Sequence, residues 1–163
     1  MRYALTFAVM LAATAGIAAL SDWPLYRHHP ADMAQVKLSF SHGSDRKAGC
    51  RPATAEELAK LPPNMRRPVV CPRDRPSVRI EADLDGRPLL RAEIRAGGIA
   101  GDGPARLYRK FSVPAGPHVL DLRLSDTGRA EGFDYTGRME VALAPAQNFV
   151  VDFRPAEGGF VAR

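Results

Sequence analysis

From residue 34 onward, apolar residues recur at every second position over most of the chain, the period of half-buried β-strands. In residues 36–41, Val36, Leu38 and Phe40 alternate with Lys37, Ser39 and Ser41. In residues 78–84, Val78, Ile80, Ala82 and Leu84 alternate with Arg79, Glu81 and Asp83. Asp85-Gly86 follows, a pair that tolerates the positive φ angles of a tight hairpin turn. The return strand, 88–96, carries Leu90, Ala92 and Ile94 on one face and Arg91, Glu93 and Arg95 on the other. Four further runs show the same alternation: 106–113, 118–124, 138–143 and 149–153. No stretch between them is long and periodic enough for a crossover helix, which excludes a parallel α/β sheet. The expected fold is all-β: an immunoglobulin-like, two-sheet antiparallel sandwich of about seven strands.

The pattern breaks in two places. Between Gly43 and Pro76 lies a Pro- and Arg-rich insertion, too long for a plain connection. Thr54 followed by Glu57 predicts a capping box opening a short helix, which Pro62-Pro63 would end. The other break is at the N-terminus, where residues 3–20 contain no charge. As a helix, these eighteen residues would extend roughly 27 Å, close to the hydrocarbon thickness of a bilayer. Arg2 precedes the segment, and Trp23 and Tyr26 follow it as an aromatic belt at the membrane interface would. A retained anchor is expected. Small residues at Ala13-Thr14-Ala15 and Ala18-Ala19 keep a cleaved leader open as the alternative. The layout expected is therefore an anchor or signal segment at 1–21, a linker at 22–33, the sandwich at 34–154 with its insertion at 43–76, and a tail at 155–163.

The run Phe111-Ser112-Val113-Pro114-Ala115-Gly116-Pro117-His118-Val119-Leu120-Asp121-Leu122 resembles an element of PEGA-type and transthyretin-like β-sandwich modules. In those modules a Pro-Ala-Gly-x-His turn joins adjacent strands of extracytoplasmic proteins. The resemblance covers this hairpin and the turn Leu143-Ala144-Pro145-Ala146-Gln147. It implies a sandwich fold and no catalytic residues, and the cysteine-bearing insertion is not part of its pattern.

Composition adds location more than chemistry. The net charge of +5 is carried mostly by Arg, which alternates with Asp and Glu as in Arg79-Ile80-Glu81-Ala82-Asp83. That is a mixed-charge surface, whereas a nucleic-acid binder clusters its cations on one face. The two cysteines, Cys50 and Cys71, both lie in the insertion. An even pair on the export side of a membrane favours a disulfide, and the Cys-x-x-Cys spacing of a thioredoxin-type pair is absent. His42, Cys50, Met65 and Cys71 are donor types that copper accepts, but in no spacing of a known copper site. Gly97-Gly98-Ile99-Ala100-Gly101-Asp102-Gly103 leads into a strand, unlike a phosphate-binding loop, which opens a helix.

The loop 125–135 is the strongest candidate surface. It brings Asp126, Arg129, Glu131, Phe133, Asp134 and Tyr135 to one end of the sandwich, where such folds place recognition loops. No catalytic motif, cofactor site or resident metal is expected. The expected function is that of a non-enzymatic accessory protein with one helix in the inner membrane and its C-terminal domain in the periplasm. There it would bind a partner in a larger membrane complex, such as a respiratory one, and no nucleic acid. The alternative is a copper-handling or thiol-redox factor built on Cys50 and Cys71, and a weaker one is a sugar- or peptide-binding sandwich using Phe133 and Tyr135.

Overall fold

In β1 (Met33–His42), Ala34, Val36, Leu38 and Phe40 are buried in alternation with half-exposed neighbours, as the period of two requires. The computed structural model describes residues 2–22, 30 and 32–163. It divides into two units, 1–31 and 32–163. The first contains the helix α1 (Arg2–Asp22). Its segment Tyr3–Ser21 has a mean hydropathy of 1.9 and no buried residue, so by length and composition it can cross a membrane. Trp23 and Tyr26 lie outside the described residues.

The second unit is a sandwich of two four-stranded sheets. One contains β1, β6 (Ala105–Pro114), β9 (Asn148–Arg154) and β10 (Gly159–Ala162), in the order β10-β9-β1-β6. The other contains β4 (Val78–Leu84), β5 (Arg87–Ile94), β7 (Gly116–Ser125) and β8 (Tyr135–Leu143), in the order β5-β4-β7-β8. The insertion adds two-residue strands β2 (Arg51–Pro52) and β3 (Val69–Val70) as a separate ladder, together with the helix α2 (Ala55–Ala59). Among the described residues sixteen apolar side chains form the buried core, and none of them lies in the insertion. Opposed pairs such as Ile80 with Leu124 and Ala82 with Leu122 fill it from one sheet, while Val36, Leu38 and Val151 meet them from the other.

Three details depart from the expected layout. Residues 155–163, expected as a tail, carry β10, which pairs antiparallel with β9 and seats Phe160 against Phe153 at a ring separation of 5.2 Å. Four residues are too few to display a period, so this strand left no pattern to read. Second, β1 and β9 run parallel, the one exception to antiparallel pairing between described strands. Third, β6 and β7 are consecutive but lie in different sheets, so Pro114-Ala115-Gly116 is an inter-sheet corner and not a hairpin. Gly116 sits at φ +137°, which only glycine adopts without strain. The Asp85-Gly86 hairpin forms as the sequence predicts, with φ angles of +52° and +75°.

On the outer face of the second sheet the alternating charges pair with one another. Arg91 and Arg123 each bridge Glu81 and Asp83. Asp83 stands directly across from Asp121, a repulsive placement. The two arginines relieve it on one side and Arg138, opposite Asp121, on the other.

Candidate functional site

One end of the sandwich gathers the loop 125–135, the stem of the insertion and the glycine-rich loop. The organiser of the first is Asp134. Its Oδ2 accepts hydrogen bonds from Ser125 Oγ at 2.9 Å, Asp126 N at 2.9 Å, Thr127 Oγ1 at 3.0 Å and Thr127 N at 3.3 Å. Its Oδ1 pairs with Arg129. Burial alone would raise the carboxyl pKa. The hydrogen bonds from Asp126, Ser125 and Thr127 outweigh that and lower it, so the group is ionised. Asp126 is itself buried, with Oδ2 2.6 Å from His42 Nε2. The His42 ring stands edge-on to Phe153 at 5.0 Å. Tyr135 packs on the same phenylalanine at 5.0 Å, and burial followed by the nearby carboxylates raises its hydroxyl pKa.

Phe133 lies under two guanidinium groups, Arg79 at 5.0 Å and Arg123 at 5.4 Å from the ring centre. Arg79 also donates to the carbonyl oxygens of Ala130 and Gly132, which fixes the far limb of the loop. Of the six residues expected to meet a partner, Asp126, Asp134 and Tyr135 are therefore used to hold the loop's shape. Arg129, half exposed, braces the loop through Asp134 and Thr127 Oγ1, Glu131 is exposed, and Phe133 is partly covered. Beside them lies a cleft of about 320 Å³ lined by Pro76, Arg79, Glu93, Gly128 and Arg129. Gly128 is required here: at φ +72°, a Cβ would stand 2.9 Å from Pro76.

The insertion leaves and rejoins the body through a rigid stem. Arg75 donates to the carbonyls of Ser44 and Asp102, and the buried Ser44 hydroxyl donates to Pro76 O at 2.6 Å. The glycine-rich loop closes on itself through Gly103 N to Gly97 O at 2.8 Å and holds Arg75 N on Gly101 O, a structural use of its backbone. Cys50 and Cys71 form a disulfide, with Cα atoms 4.1 Å apart. The expected capping box is present: Glu57 N donates to Thr54 Oγ1 at 3.2 Å and Thr54 N to Glu57 Oε2 at 2.9 Å. Arg51 clamps the same carboxylate with two bonds and, with the Thr54 amide, holds the Glu57 pKa down to about 2.

With the cysteines joined and His42 bonded to Asp126, three of the four soft-metal donor candidates are already committed. Among the described residues no group of three or more His, Cys, Asp or Glu has the geometry of a metal site.

Two features escaped the sequence. Arg79 and Arg123 flank Phe133 although they precede it by 54 and 10 residues, on β4 and β7, and only the sheet register brings them together. The second is an apolar groove of about 320 Å³ on the insertion, lined by Leu58, Leu61, Met65, Val69 and Val70. Its signal was apolar residues left without a strand or helix period in a Pro- and Arg-rich stretch. No protein-family model matches this sequence, and no curated protein matches it at a significant level.

Proposed function

We propose that this protein is a non-enzymatic, membrane-tethered accessory module of the bacterial periplasm, held by α1 and binding a partner protein of a larger inner-membrane complex through the end of its sandwich. The observation that carries the reading is the state of the loop 125–135. A largely buried carboxylate and four hydrogen bonds hold the loop, with Arg129 paired to the same carboxylate, while Glu131 and the exposed half of the Arg129 side chain face solvent beside a cleft. A loop ordered before binding does not lose conformational entropy on association, which favours recognition. The acid–base groups nearby have internal partners, His42 with Asp126 and Asp134 with its own loop, as expected of a scaffold. The apolar length of α1 and the disulfide support a place on the export side of a membrane. The two-sheet arrangement, with a corner at Pro114-Ala115-Gly116, is compatible with the PEGA- or transthyretin-like module that the sequence resembles.

The test is photo-crosslinking in native membranes from position 131 of the full chain, followed by gentle detergent extraction. The expected result is one adduct of fixed stoichiometry with an integral membrane protein, lost in the Arg129→Ala variant. A chain that extracts and migrates alone, without an adduct, would overturn the reading.

A further inference from the structure

The insertion has an arrangement that neither the core nor the loop 125–135 accounts for. Residues 59–74 are exposed without interruption, yet they are ordered by a disulfide, a capping box and the β2–β3 ladder. Ordering residues costs roughly 1–2 kcal/mol each in backbone entropy, and here no core burial offsets it. What this order presents to solvent is apolar: Leu61 is 41%, Met65 59%, Val69 48% and Val70 39% exposed, all along one shallow groove. Four such side chains together form a patch of the kind that marks an interaction surface.

The surroundings of the groove specify its occupant. The insertion, 43–76, contains eight basic residues and four acidic ones, and so carries four of the chain's five net positive charges. Two of the acids are committed, Glu57 to Arg51 and Asp45 to the backbone of Lys47. Among the described residues Lys60, Arg66 and Arg67 pair with no carboxylate. Arg67 lines the groove, Arg66 Nε donates to Leu61 O at 3.0 Å on its edge, and Lys60 caps the C-terminus of α2. Apolar side chains flanked by cations that have no carboxylate partner match the headgroup layer of an anionic bilayer, which takes up apolar groups at its boundary and pairs cations with phosphate. The covalent layout adds proximity. Nine residues, 23–31, separate α1 from the sandwich unit, and a chain of that length reaches at most roughly 36 Å. A module on so short a tether meets lipid at high local concentration.

We propose that the disulfide-closed insertion is a membrane-docking surface, with Leu61, Met65, Val69 and Val70 entering the headgroup layer and Lys60, Arg66 and Arg67 neutralising anionic lipid phosphates. This rests on α1 being retained as a span. Docking at a second, independent point restricts how the tethered sandwich can turn and so presents the loop 125–135 in one orientation.

The test uses the full chain with Trp23→Phe and Met65→Trp, which leaves a single indole, at position 65. It is reconstituted into phosphatidylcholine vesicles with or without phosphatidylglycerol, and brominated acyl chains serve as quenchers. The expected result is a blue-shifted emission, quenched several-fold more with phosphatidylglycerol, that salt reverses. The Lys60→Glu/Arg67→Glu variant, which breaks no ion pair, should lose the quenching while its circular dichroism is unchanged. Protein that floats with the vesicles yet shows the same unquenched emission in both lipids would overturn the docking alone. So would quenching that is indifferent to lipid charge or to the variant. Protein that fails to float with either vesicle would overturn the retained span and the docking with it.

Discussion

His118 Nδ1 lies 2.6 Å from Asp85 Oδ2, joining the β6–β7 corner to the β4–β5 turn across 33 residues of sequence. The second ring nitrogen, Nε2, is 2.9 Å from Pro114 O, and Val119 N donates to Asp85 Oδ1 at 2.8 Å. A carbonyl can only accept, and so can an ionised carboxylate, so the geometry suits a doubly protonated ring. The histidine of the Pro-Ala-Gly-x-His run is thus a lock between two turns.

That lock has a pH dependence. The bond to Asp85 raises the His118 pKa above its ordinary 6.5, and the bonds from Val119 and then His118 lower that of Asp85 below 3.8. A raised histidine stabilises the fold fully below its unfolded pKa and loses that contribution as pH rises through the folded value. A lowered aspartate contributes above its unfolded pKa and loses its share as pH falls through the folded one. The pair should therefore stabilise most between about pH 4 and 6.5. Urea midpoints of the wild type should fall from pH 6 to pH 8.5 by more than those of His118→Gln. Equal slopes would show that the imidazolium contributes nothing.

Removing the organiser of the candidate loop should be costly. Asp134→Ala leaves Ser125 Oγ and the amides of Asp126 and Thr127 without their acceptor in a largely buried setting. Hydrogen bonds to a charged group are worth about 1.5–3 kcal/mol, so a loss of about 2–3 kcal/mol is expected by chemical denaturation. Asp134→Asn, which keeps an acceptor oxygen, should lose less. A loss no larger than that of Glu131→Ala, an exposed residue of the same loop, would contradict the assignment.

Opening the disulfide should act locally. The bridge spans 21 residues, and a loop of that length is worth about 3 kcal/mol in the chain-entropy model. None of the core residues lies inside it, so Cys50→Ser/Cys71→Ser should release the insertion and leave the sandwich folded. Trypsin should then cut after Lys60 and Arg66 much faster than in the wild type, with the main thermal transition lowered by only a few degrees. Loss of that transition altogether would mean that the insertion supports the core.

The helix cap inside the insertion offers a smaller test. Thr54→Ala removes one half of the capping box and should cost about 1 kcal/mol of local stability, since Thr54 Oγ1 accepts from Glu57 N. Amide exchange of residues 55–59 should quicken while exchange in β4 and β7 does not.

Much of this architecture was legible along the chain because its cause is local. Alternation places Ile80, Leu122 and Val151 inward whatever the neighbouring strand, Asp85-Gly86 turns because both residues accept positive φ, and Thr54 with Glu57 caps because three residues separate them. An apolar run of bilayer length is likewise a property of sequence alone, as is the cysteine pair that the structure joins. The tertiary structure decided everything that depends on which strands become neighbours. It sent β6 and β7 into different sheets, made β1 and β9 parallel, drew Phe160 of the supposed tail onto Phe153, and set Arg79 and Arg123 over Phe133. It also turned Asp134 and Tyr135 from exposed candidates into the frame of their loop. The physical reason is that a period fixes which way a side chain points relative to its own strand, whereas partners are chosen by sheet order and register, which no single segment encodes.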